Sequence, residues 1–233
     1  MRFGKFIALA TVFVAAFTLG SCSKDDEEKE EVVENNPKFE NREYVDLGLP
    51  SGTLWAACNV GANKPEEYGN YFAWGETEQK ETSYDWDNYK FLKDGELTKY
   101  RVGELGEVSS MKEILPEDDA ATVNWSSSWR MPSLDQIKEL INSDYTTTEF
   151  TTLNDIKGLK ITSKKNGKTL FFPAGGSRNN KEFDDAGIGG AYWSCSYDSN
   201  SAAYAMEFGS SDAHYECVVA RVGFLVRPVL IQK

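Results

Sequence analysis

The chain has 233 residues, 40% of them hydrophobic and 13% aromatic, which is the make-up of a globular module and leaves room for one domain with a real core. Its formal charge of −12 becomes more acidic still once Arg2 and Lys5 are removed with a leader segment, and that balance argues against nucleic acid or anionic lipid headgroups as partners.

Met1 to Lys5 is a short basic region, and Phe6 to Leu19 is an apolar run of signal-peptide length. It falls short of the about 20 residues that a bilayer-spanning helix needs. Leu19-Gly20-Ser21-Cys22 resembles the bacterial lipobox, which implies a signal peptide over 1–21, cleavage before Cys22 and lipidation of that cysteine. The competing reading is a secreted protein with a stray cysteine. Each buried methylene contributes about 0.8 kcal/mol, so two or three acyl chains suffice for a stable membrane anchor. Residues 22–38 read as a disordered acidic tether, because Ser23 to Glu31 is nearly devoid of apolar side chains. An acidic run directly after a lipidated cysteine resembles the export signal of Bacteroidota lipoproteins, implying an outer-membrane anchor with the domain facing the cell exterior. Residues 39–233 are then the folded domain.

Within that domain, Tyr44 to Ala62 predicts two strands around Pro50-Ser51-Gly52, and Tyr68 to Thr77 predicts a strand with aromatic residues on both faces. Tyr84 to Ser110 reads as a long loop. Glu117 to Val123 predicts a helix after Pro116. A second helix follows Ser133, where Ser133 and Gln136 form a capping box ahead of Leu134, Ile137, Leu140 and Ile141. Thr146 to Thr148 reads as a connection. Gly158 to Ser163 and Lys168 to Phe172 frame a hairpin around Lys165-Asn166-Gly167. Four short strands close the chain as an antiparallel meander: Ala191 to Ser196, Ala203 to Phe208, His214 to Arg221 and Phe224 to Leu230. In the second of these, Tyr204, Met206 and Phe208 share one face and Ala203, Ala205 and Glu207 the other, which predicts one buried and one wet side. No internal repeat is present.

Tyr68-Gly69-Asn70-Tyr71-Phe72-Ala73-Trp74-Gly75, Leu115 to Ala121, Trp129-Arg130-Met131-Pro132, Tyr192-Trp193-Ser194 and Val226-Arg227-Pro228-Val229 together resemble the Fibrobacter succinogenes major paralogous domain, in family order from about Tyr44 to Leu230. The resemblance implies an α+β, C-type-lectin-like domain with two short helices and a twisted antiparallel C-terminal β-meander, of a kind common on lipoproteins of gut bacteria. The family's biochemical function is largely unknown, and the expected role of this chain is a recognition surface for a glycan or a protein, with a purely structural role in the cell envelope as the alternative and glycan-active catalysis a weaker third.

Signals for chemistry are sparse. The one histidine, His214, lies in a predicted strand without a Gly-x-Ser-x-Gly elbow, so no catalytic residue is assigned and a plain strand histidine is the simpler reading. Cys58, Cys195 and Cys217 lack zinc spacing, and Gly175-Gly176-Ser177 lacks the phosphate-loop lysine and reads as a turn. Asp118-Asp119 and Asp184-Asp185 are conceivable calcium ligands, but the signatures of calcium-dependent sugar-binding lectins are missing; no metal and no cofactor is expected. Glu76, Glu78 and Asp85 beside Trp74 and Trp86 offer paired carboxylates, as any acidic chain does, while Trp55, Trp74, Trp129 and Trp193 read as core. Export to an oxidising compartment permits a disulfide, and Cys195 with Cys217, both in the meander, is the expected pair, leaving Cys58 a buried free thiol. C-type-lectin-like folds serve diversity-generating retroelements as targets, and the equivalent window here runs from about Ser177 to Arg221. Within it Asn179, Asn180, Tyr197, His214, Tyr215 and Arg221 are the expected ligand contacts, on a framework of Trp193, Met206, Phe208 and Val226.

Overall fold

The computed structural model describes residues 36–100, 113–199 and 201–231. Cys22, the signal segment 1–21, the tether as far as residue 35, residues 101–110 of the expected long loop and Asn200 lie outside the described residues.

Strand β1 (Lys38–Phe39) pairs with β2 (Arg42–Asp46), so the first described strand starts on the last residue of the stretch read as tether. β2 in turn pairs with β3 (Leu54–Ala56) across the Pro50-Ser51-Gly52 turn, as expected. A one-turn 3₁₀ helix (Trp86–Asn88) and a minimal hairpin of β4 (Leu92–Lys93) and β5 (Glu96–Leu97) punctuate the segment expected to be loop.

The first expected helix is divided in two. Asp119 accepts hydrogen bonds from the Ala121 and Thr122 amides at 2.8 and 3.0 Å, which ends a 3₁₀ turn (Pro116–Asp118) and starts α1 (Ala120–Asn124). Its second oxygen takes the Met131 amide at 2.9 Å, pinning the helix start to β6 (Trp129–Arg130) and the residue that follows it. Helix α2 (Leu134–Leu140) forms as expected: Ser133 and Gln136 complete the capping box, and Ile137 and Leu140 are buried.

The Asn-Gly hairpin also forms, as β8 (Ile156–Ser163) and β9 (Thr169–Pro173). The Thr146 to Thr148 connection is instead the start of an eight-residue strand, β7 (Thr146–Leu153), paired along its whole length with β8. It is an edge strand with mostly wet side chains, so it carries little of the apolar alternation by which strands are recognised. A short ribbon of β10 (Ser177–Asn179) and β11 (Glu182–Asp184) follows.

Three of the four meander strands are present. β12 (Gly190–Ser199), β13 (Ala202–Phe208) and β14 (Ala213–Val219) form one antiparallel sheet, with register shifts in β12 after Trp193. The fourth departs from it. Leu225 makes a parallel bridge to Tyr192 and Phe224 an antiparallel one to Phe72, while β15 (Val229–Leu230) inserts between β3 and β6 in the other sheet, ordered β1-β2-β3-β15-β6. The first and last strands of the domain thus belong to one sheet. Among the described residues the architecture is mainly antiparallel β with two short α-helices.

This C-terminal segment also explains why Tyr68 to Thr77 is not a strand. Phe72 exchanges backbone hydrogen bonds with Phe224 at 2.9 and 3.0 Å, the Trp74 amide donates to the Ala220 carbonyl at 2.8 Å, and the Trp193 indole donates to the Phe72 carbonyl at 2.8 Å. Backbone groups are satisfied one at a time from different partners, so no ladder is needed for burial. The same packing covers the sheet face expected to be wet: Ala203 and Ala205 are as buried as Met206 and Phe208 on the opposite face, and Trp193 packs on Phe224 at 4.3 Å between ring centroids. Trp55, Trp74, Trp129, Trp193 and Val226 are core, as expected.

The expected disulfide is absent. Cys58, Cys195 and Cys217 are all free, with Cys195 buried, Cys217 exposed and Cys58 half-buried, where full burial was expected. Cys195 belongs to β12 and Cys217 to β14, and β13 runs between them. Adjacent strands are about 4.8 Å apart, so the two Cα atoms are separated by roughly twice that, beyond the about 7 Å a disulfide can bridge.

Arg227, 1% exposed, ties the two halves of the core. Its Nε donates to Asn59 Oδ1 at 2.7 Å, Nη1 to the Ala56 and Ala57 carbonyls at 3.2 and 2.8 Å, and Nη2 to the Phe171 carbonyl at 2.9 Å. Its guanidinium lies 4.6 Å over the Phe172 ring.

Candidate functional site

The β10–β11 ribbon bends over the β12–β13–β14 sheet because Gly176 takes φ +61 and sits with its backbone against the Asp184 carbonyl, where no side chain would fit. Gly176 also bridges to Gly190, and any side chain at Gly190 would strike the Phe208 ring. These close approaches leave an open cleft of about 280 Å³ between ribbon and sheet. Ala191, Phe208, Val218, Val222 and Phe224 supply its apolar lining; Ser177, Asn179, Asp185 and Glu207 supply its polar groups.

Glu207 is the unusual member. On its face of β13 the neighbours Ala203 and Ala205 are fully buried, yet position 207 carries a carboxylate. Among the described residues it makes no hydrogen bond or close ion pair, and its basic neighbour is His214. Burial pushes its carboxyl up from the ordinary glutamate range, the charge of Glu216 adds to that, His214 opposes it, and Asp185 adds the least. Strand register places His214 directly opposite Glu207, and Glu216 opposite Ala205 on the same face. Ligand atoms of Glu207, His214 and Glu216 all lie within 4.8 Å of one another. His214 Nδ1 is 3.0 Å from Asp212 Oδ2, and its Nε2 is 3.9 Å from Glu216 Oε2.

The six expected contact residues divide. Asn179 lines the cleft, and His214 stands beside Glu207 at its edge. Arg221 holds Asn179 in place, donating from Nη1 to its Oδ1 at 2.7 Å and to the Tyr84 carbonyl at 2.9 Å. Asn180 is exposed at φ +51 and exchanges backbone hydrogen bonds with Tyr84. Tyr215 lies on the opposite sheet face, its ring under Lys138 of α2 at 5.3 Å. Tyr197 packs its ring on Trp74 and Tyr100, at 5.5 and 5.6 Å between centroids, and so is engaged in packing away from the cleft. Sequence reasoning did not pick out Asp185 or Glu207 as cleft residues. The available signal was a single acidic side chain on a strand face otherwise occupied by small buried ones.

Asp118, Asp119, Glu76 and Asp85, also weighed for chemistry, have structural partners. Asp118 binds Lys90 at 2.8 Å, Tyr100 Oη at 2.6 Å and Lys99, and with the first-turn contacts of Asp119 this leaves neither free for calcium. Glu76 pairs with Lys80 at 2.8 Å and accepts the Lys90 amide at 2.7 Å; Asp85 caps the 3₁₀ turn at Trp86. A second hollow of about 330 Å³ lies between Leu47–Pro50 and Tyr145, with Lys164, Lys165 and Asp144 at its edge. Lys164 there donates to the Ser143 carbonyl at 2.5 Å, so its polar groups do not converge as those around Glu207 do.

No protein-family model, curated protein or solved structure matches this chain.

Proposed function

We propose that this protein is a lipid-anchored recognition module, held by Cys22 to the outer membrane and displaying its domain to the cell exterior, where the cleft over the β12–β13–β14 sheet binds a glycan or protein ligand. The fold reading that goes with it is a C-type-lectin-like domain of the Fibrobacter succinogenes major paralogous type, supported by the two short helices and the C-terminal antiparallel sheet. The single observation that carries the binding reading is Glu207, a half-buried carboxylate left without a protein partner in an open cleft with apolar walls. Burying a charge is costly unless it is paired, so a site that keeps one unpaired is built for something that arrives.

Binding is favoured over catalysis by the surroundings of His214. Ser211 Oγ donates to Asp212 Oδ1 at 3.0 Å, so the hydroxyl sits on the carboxylate and not on the imidazole, and the other face of the ring meets Glu216. A nucleophile–base–orienting acid series needs the hydroxyl on the histidine. Among the described residues no helix is long and apolar enough to cross a membrane.

The test is binding of the full-length, detergent-solubilised protein to glycan arrays and to displayed proteins, alongside Asn179→Ala and Glu207→Gln. Retention of a defined ligand by the wild type and its loss in both variants, with unchanged thermal unfolding, supports the reading. A ligand held equally by both variants places recognition elsewhere, and no ligand at all favours a structural role in the envelope. For the anchor, Cys22→Ala should abolish lipid labelling and release the protein from membranes.

A further inference from the structure

We infer that Glu207, His214 and Glu216 form a binding site for one divalent transition-metal ion of zinc type at the edge of the cleft. The inference stands on the geometry of the sheet and does not require the recognition reading. In an antiparallel pair, directly opposed residues and their second neighbours on the same face project side by side. His214 opposes Glu207, and Glu216 follows His214 by two residues, so the backbone itself sets one imidazole between two carboxylates. A histidine nitrogen at the centre separates this cluster from the solvated carboxylates found elsewhere on so acidic a chain.

The imidazole is also oriented for the task. With Asp212 Oδ2 3.0 Å from Nδ1, the proton belongs on Nδ1 and the lone pair on Nε2, the nitrogen that faces Glu216. Metal-binding histidines usually have this arrangement, the second nitrogen donating to a carboxylate that fixes the tautomer and raises the basicity of the ligating atom. Glu207 adds the second feature: it is half-buried against the apolar cleft, no donor reaches it, and Glu216 and Asp185 repel it. A bound cation would remove that repulsion.

The separations fit a small ion after minor adjustment. Around a tetrahedral ion bonded at about 2.0–2.2 Å, neighbouring donor atoms lie about 3.3–3.6 Å apart. The observed spread of up to 4.8 Å needs a movement of about 1.2–1.5 Å, which the exposed side chain of Glu216 can supply while Asp212 holds His214. Ion type follows from the donors. Calcium takes six to eight oxygens, which three residues do not supply, whereas one nitrogen with two carboxylates suits zinc, nickel or copper. Three protein ligands leave a fourth position open, toward water or toward an oxygen of whatever enters the cleft.

The test uses full-length protein in detergent, titrated with Zn²⁺ against a chromophoric chelator and with Co²⁺ by visible absorption. One equivalent should bind, and the Co²⁺ spectrum should lack sulfur-to-metal charge transfer, because the exposed Cys217 faces away from the cluster. Asp212→Asn should weaken Zn²⁺ by about 10–100-fold as an outer partner, and His214→Ala by more. Glu149→Gln, a carboxylate paired with Lys160 on β7, should change nothing. If Glu207→Gln fails to fold, His214→Ala on the exposed strand β14 still decides, with its fold checked by circular dichroism. Zinc affinity unchanged in His214→Ala, a sulfur-to-cobalt band, or wild-type binding no tighter than that of His214→Ala would each overturn the site.

Discussion

Arg227 and Glu207 are both charged side chains drawn into the C-terminal half of the fold, and the protein treats them in opposite ways. Arg227 has no carboxylate partner, yet three backbone carbonyls and the Asn59 amide oxygen accept its protons, and Phe172 supplies an aromatic face. Glu207 has acids and a histidine for neighbours and no donor at all. A buried charge whose hydrogen bonds are complete is part of the scaffold. One that lacks them is kept for a reason outside the scaffold, because the desolvation it suffers would otherwise select against it.

The comparison is broken most forcefully at Arg227. Hydrophobic replacement of a buried ion pair is often tolerated, since both charges go together. Here the partners are mostly backbone carbonyls, which no substitution removes, so Arg227→Met strands four acceptors in the core. With about 1–3 kcal/mol for each unmade bond, offset by water entry and relaxation, a net loss of about 3–5 kcal/mol is expected in urea unfolding. A variant as stable as the wild type would show that these contacts do not hold the core.

A smaller effect sharpens the same point. Asn59→Ala, at a fully buried position, removes the acceptor on Arg227 Nε and the donor to the Tyr68 carbonyl at 2.8 Å and to Tyr192 Oη at 3.3 Å. The expected cost is about 1–3 kcal/mol. In a double mutant with Arg227→Met the two losses should fall well short of adding, because Asn59 then has no guanidinium to serve. Full additivity would mean that the two side chains do not act together.

How much of this was legible in the sequence depends on how local the cause is. Ser133 and Gln136 announce α2 within four residues, and Lys165-Asn166-Gly167 announces the β8–β9 hairpin, so both are read correctly. Tyr68 to Thr77 and Phe224 to Leu230 resemble strands in composition, but their partners are each other, Tyr192, β3 and β6, at long sequence distance, and composition does not encode that. The Cys195–Cys217 pairing failed for a similar reason: proximity in a meander says nothing of a strand lying between. Of the residues picked by type, Asn179 and His214 lie at the cleft, whereas Tyr197 packs on Trp74 and Tyr100 away from it, since an aromatic ring suits a contact surface and a core cluster equally. Glu207 required reading a whole strand face at once, with Ala203 and Ala205 as its neighbours.

The smallest expected effect falls on Glu207 itself, and its sign is diagnostic. Burial and the nearby acids raise its carboxyl in the folded protein above the unfolded value of about 4.3, so the folded state favours the protonated form. Stability from this group is therefore fully present below the unfolded value and is lost as pH rises through the folded one. Glu207→Gln mimics the protonated carboxyl at every pH. Wild type and variant should unfold alike near pH 4, and at pH 7 in the presence of a chelator the variant should be the more stable, by no more than about 1 kcal/mol because solvent screens a half-exposed group. Removing a scaffold charge such as Arg227 destabilises at both pH values. A Glu207→Gln variant that loses stability at pH 7 would mean that the carboxylate has a favourable partner within the fold after all, and the contrast between the two charges would collapse.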